Sequence, residues 1–97
     1  MKREDFIFSI GYAGTTLVVD SKSQKKWTSL SCKKLLEKGL YLAAIRAAVY
    51  ENDQEMLEYI RSQYAERAHV PVKTIDALLR IFGVEFPSEE IQKVLKV

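Results

Sequence analysis

The chain has 97 residues, 47% of them hydrophobic and 29% charged. That mix excludes disordered, collagen-like and coiled-coil chains, and the length fits a single domain, residues 1–97, around one modest core. Fifteen Lys and Arg against thirteen Asp and Glu leave a net charge of +2, which names no partner by itself.

The basic start Met1-Lys2-Arg3 is followed at once by Glu4 and Asp5, so it does not read as a secretory leader. From Phe6 the chain alternates Phe6, Phe8, Ile10 and Tyr12 with Ile7, Ser9 and Gly11, the period of a half-buried strand. Ala13-Gly14 predicts a turn, and the mostly β-branched run Thr15–Val19 predicts a second strand. Asp20–Gln24 reads as a polar turn. Lys25–Thr28 reads as a short third strand with Trp27 facing the core.

Helical signals take over from Ser31, a good N-cap between the staple residues Leu30 and Leu35, with Gly39 ending that short helix. Leu40–Glu51 is apolar almost all round, the pattern of a central helix packed on several sides. Its alanines, Ala43, Ala44, Ala47 and Ala48, predict close helix contacts. Gln54 to about Ala68 follows as an amphipathic helix with Met56, Leu57, Ile60 and Tyr64 inward. After the break at Val70-Pro71-Val72, Thr74 caps a helix through Phe82, ended by Gly83. Pro87-Ser88 introduces a fifth helix with Ile91, Val94 and Leu95 at helical spacing. The sequence thus predicts an α+β fold. A small N-terminal antiparallel hairpin or meander (about 5–28) packs against four or five helices (about 31–97).

Candidate chemistry is sparse. The string Ile10-Gly11-Tyr12-Ala13-Gly14-Thr15-Thr16 resembles the first phosphate-binding hairpin of the sugar-kinase, actin and heat-shock ATPase superfamily. That resemblance implies nucleotide binding. Tyr12, however, stands where the superfamily has its metal-handling aspartate, and a phenol does not hold a hydrated divalent ion. A second local likeness runs from Ala47 to Ile60, which is similar to one helix–turn–helix unit of an ankyrin-type repeat. It implies an antiparallel helix pair and no solenoid, which needs about three units. Cys32 sits at a helix start beside Lys33 and Lys34, where dipole and charge would favour a thiolate, but a lone cysteine reads first as a small packing residue or an inert thiol. As the only cysteine it allows no internal disulfide, and with the single His69 it cannot complete a zinc site. The C-terminal pair of helices has the rhythm of a helix-turn-helix. Glu89 and Glu90 at the would-be recognition end oppose DNA, so the pair reads as a structural hairpin.

Two surfaces remain. Residues 21–40 carry six lysines against Glu37, a local charge of +5. Within them Lys22, Lys25, Lys26, Lys33 and Lys34 surround Trp27, a pattern that suits phosphates and a stacked base. The tyrosines Tyr41, Tyr50 and Tyr59 on the helices are candidate protein-contact residues. The expectation is a non-catalytic binding or assembly module, without metal or cofactor, acting through a protein partner or self-association. Binding of nucleic acid or another polyanion through the lysines is the alternative. No apolar run is long enough for a bilayer, so no membrane role is expected. A lone thiol fits the cytoplasm.

Overall fold

The computed structural model describes residues 2–27, 29–84 and 92–97. Its architecture is α+β, with helices flanking a small mixed sheet. The described elements are α1 (Arg3–Ile7), β1 (Ser9–Ala13), β2 (Thr16–Val19), α2 (Ser21–Trp27), α3 (Cys32–Glu37), α4 (Tyr41–Tyr50), α5 (Gln54–Ala68), α6 (Ile75–Phe82) and β3 (Lys93–Lys96).

The chain opens with a helix where alternation predicts a strand. Glu4 and Asp5 lie in the first turn of α1, where carboxylates favour the helix dipole. Phe6, Ile7 and Phe8 are all buried, so the end of this turn packs into the core through consecutive residues. Period two in residue type did not become period two in burial. The strand begins only at Ser9. Its antiparallel partner β2 pairs Tyr12 with Leu17 and Ala13 with Thr16, so the hairpin turns at Gly14-Thr15. Gly14 takes φ +62°, a conformation that strains any side chain.

The expected third strand at Lys25–Thr28 is helical as far as Trp27, and Thr28 lies outside the described residues. Asp20 explains the difference. Its Oδ1 accepts from the amides of Lys22 and Ser23, and its Oδ2 accepts from the Ser23 hydroxyl. The residues read as a turn are a helix cap. The caps expected at Ser31 and Thr74 are present, and Asp53 supplies a third. Ser31, Asp53 and Thr74 accept from the amides of Lys34, Met56 and Ala77. Gly39 closes α3, with the Gly39 amide donating to Leu36 and the Leu40 amide to Leu35.

The central helix is α4. Ala44, Ile45, Ala47 and Ala48 are fully buried, and α4 packs against α1, α3 and α5. Leu42, on a helix read as packed on several sides, lies exposed in its first turn. Leu57 and Ile60 of α5 are buried as predicted, and Leu78 and Leu79 of α6 join the same core.

The fifth helix is also corrected. Residues 85–91 lie outside the described residues, and with them the expected start at Pro87-Ser88 and Ile91. Val94 and Leu95 are in β3, which runs parallel to β2 and completes the order β1-β2-β3. The sheet is therefore a three-stranded mixed one with a C-terminal strand, and Lys93–Lys96 is strand where the fifth helix was expected. The free edge of β2 wins because it satisfies backbone groups of the segment. The Gln92 amide donates to Thr15, the Val97 amide donates to Val19, and the Val97 carbonyl accepts from Ser21. Among the described residues, no helix is long and apolar enough to cross a membrane.

Candidate functional site

Each residue singled out in the sequence has a place in the fold. Cys32 is the first residue of α3, yet it is buried, and its Sγ donates to the Ala44 carbonyl at 3.0 Å. Burial, ahead of the nearby carboxylates of Glu51 and Asp53, pushes the thiol up from an ordinary 9.0 to about 11. Cys32 is therefore a packed thiol, as expected first of a lone cysteine, and not a thiolate. His69 ends α5 in a left-handed conformation, φ +55°, on the surface. Among the described residues, no cluster of three or more His, Cys, Asp or Glu side chains is placed to hold a metal.

The lysines divide between two helices. Lys22, Lys25 and Lys26 are exposed on α2, and Lys33 and Lys34 are exposed on α3. Lys34 Nζ lies 3.6 Å from Glu37. Trp27 is half-buried against the core, with the Nζ of Lys26 4.8 Å and that of Lys38 5.4 Å from its ring centroid. Lys38, which the sequence reading left out of the group, is thus one of the two cations on the indole.

The three tyrosines do not share a surface. Tyr41 and Tyr50 stand at opposite ends of α4, about 13 Å apart along its axis. Tyr50 packs on Phe6, with ring centroids 6.0 Å apart. Tyr59 is exposed on α5. Tyr41 alone meets other aromatics outside the central core: Tyr64 at 5.7 Å and Phe82 at 6.4 Å, while Tyr64 and Phe82 stand edge-on at 5.1 Å.

That aromatic trio is one wall of an open cleft of about 730 Å³. The cleft is lined as well by Phe8, Ser9 and Ile10, by Asp20 and Trp27, and by Leu42 and Arg46. Its lining is mainly apolar, as small-molecule and peptide clefts generally are. Arg46 organises the β1 side: its Nη1 donates to the carbonyls of Ile7 and Ser9. Immediately after Ser9 the strand bulges. Ser9 pairs with Val19 and Gly11 with Val18, so Ile10 has no partner on β2. Its side chain is 62% exposed and stands at the cleft. Bulges commonly re-aim a side chain in this way.

Asp20, the carboxylate lining the cleft, is already engaged. The Ser23 hydroxyl, together with the Ser23 and Lys22 amides, holds its carboxyl below the ordinary value. Ile10, Leu42, Phe82 and Arg46 were not among the candidate site residues of the sequence reading. Gly11, an isolated glycine inside a strand pattern, was the one local sign of the bulge. Compared with protein-family models, with curated proteins and with solved structures, the chain matches none.

Proposed function

We propose that this chain is a small non-catalytic binding or assembly module that acts through protein contacts, and that the cleft beside Ile10 is its contact surface. One observation carries the reading: a bulge turns Ile10, a large aliphatic residue, outward beside Trp27, Leu42 and the Tyr41–Tyr64–Phe82 wall. An exposed apolar side chain forgoes about 1.5–3 kcal/mol of burial. A bulge that holds it at an aromatic cleft suits a partner that covers it. The groups with reactive potential are committed to structure, Cys32 to the Ala44 carbonyl and Asp20 to the start of α2. The free thiol of Cys32 supports a cytoplasmic setting.

The test is an unbiased peptide selection on the immobilised chain, with an Ile10→Asp variant as the counter-target. The expected result is a family of peptides that bind the chain, fail on the variant and shift the Ile10 and Leu42 methyl resonances. Binders that ignore Ile10→Asp, or that map to the outer face of α5, would overturn it.

Binding of a polyanion is a second reading, favoured by the exposed lysines of α2 and α3. It is the weaker one because Lys26 and Lys38 already occupy the surroundings of the Trp27 ring, where a base would have to stack.

A further inference from the structure

We infer that the occupant of the cleft is an acidic segment of a partner protein carrying large apolar side chains. This rests on the reading of the cleft as a contact surface and names the chemistry of what it contacts.

The charge of the cleft border carries the argument. Elsewhere on the molecule four cations are held in ion pairs: Arg3 with Glu51, Lys34 with Glu37, Arg61 with Glu58, and Lys96 with Asp5. Lys25, Lys26 and Lys38 form no ion pair among the described residues. Two of these three stand over Trp27, which lines the cleft. Asp20, the acid of that border, directs both carboxylate oxygens into the cap of α2 and has little left to offer the lysines. An apolar trough therefore meets a pair of cations at Trp27. Carboxylates beside aliphatic or aromatic anchors match both features at once. A basic partner would be repelled, and like-charge juxtaposition is a strong source of discrimination.

The same geometry disfavours a nucleic-acid strand. Phosphates would gain from the lysines, yet Ile10, Leu42 and Phe82 would gain nothing from a polyanion backbone. The apolar anchors would supply affinity, and the lysines would supply approach rate and salt sensitivity.

The experiment uses two peptide pools of about twelve residues, long enough for a cleft of this size. Both draw anchors from Leu, Phe and Trp. One fills the remaining positions with Asp, Glu and Ser, the other with Lys, Arg and Ser. Both are selected on the whole chain, and the best members are titrated by fluorescence anisotropy beside a single-stranded oligothymidine. The acidic pool is expected to yield binders that shift the Ile10 and Leu42 methyls. Ile10→Ala should weaken them about tenfold or more, and Lys26→Gln with Lys38→Gln about threefold to tenfold, with a flatter salt dependence. Both sites are surface positions, and a thermal melt confirms that each variant is folded. Basic-pool binders of equal strength at the same methyls would refute the acidic assignment and leave the contact surface standing. Binders from neither pool that move those methyls would remove both. Oligothymidine binding tighter than any acidic peptide, lost with the two lysine changes, would replace the inference with the polyanion reading.

Discussion

Gln24 Nε2 donates to Asp5 Oδ1 at 2.8 Å, joining two buried polar side chains of α2 and α1, with Lys96 of β3 3.9 Å from the same oxygen. Three elements from both ends of the described chain meet at one carboxylate. Gln24→Leu would strip a buried acceptor of its donor and is expected to cost about 1–3 kcal/mol. Lys96→Ala removes a mostly exposed cation and is expected to cost less than about 1 kcal/mol. Urea denaturation of the two variants checks the order, and equal losses would show that the lysine, rather than the amide, satisfies Asp5.

Ala47 and Ala48 have no exposed surface where α4 meets its neighbours. Adding three carbons at either position should overpack the core. Ala47→Leu and Ala48→Leu are each expected to lose about 1–3 kcal/mol in stability. A denaturation midpoint unchanged in both would show slack that the burial of α4 does not suggest.

Cys32 sets a pH limit on stability. Its folded thiol titrates at about 11 against 9.0 for an ordinary one. Above the lower value the unfolded chain releases the thiol proton while the folded chain still holds it. The contribution is therefore full below pH 9 and is lost as pH rises to about 11. A Cys32→Ala variant should show a shallower decline across that window. Alkylation by iodoacetamide at neutral pH should be much slower in the folded chain than in guanidinium.

Lysines 25 and 26 separate the two functional readings. Lys25→Glu with Lys26→Glu should leave the melting temperature nearly unchanged, since both side chains are exposed on α2. Oligonucleotide binding by the parent chain is expected to be weak at physiological salt. Submicromolar binding there, with a salt slope that falls by about two when both lysines are replaced, would promote the polyanion reading.

Local chemistry explains which parts of the fold were legible in the sequence. Ser31, Asp53 and Thr74 each cap a helix through an amide three residues on, and Gly39 and Gly83 end helices in left-handed conformations. Such signals sit wholly within a few residues. Asp20 misled because an aspartate followed by serine serves turns and helix starts alike. Phe6-Ile7-Phe8 misled because all three are buried, a fact set by α4 and invisible in the alternation. Lys93–Lys96 was illegible for a stronger reason: its conformation is decided by the edge of β2, far away in sequence. The cleft was legible only in pieces. Trp27 and Tyr41 were identified, but Ile10 faces solvent through a bulge that depends on how β1 registers against β2.

The position of β3 bears on how the molecule assembles. The Ser21 hydroxyl donates to the Val97 carbonyl across 76 positions, whereas α3, α4 and α5 pack through contacts between consecutive elements. Closing so long a loop costs entropy that is recovered only when the strand docks. The helical middle is therefore expected to form first, with attachment of residues 92–97 to β2 the later step. Until then β2 offers an open edge to any passing strand, which makes the interval before docking the time of greatest exposure to aggregation.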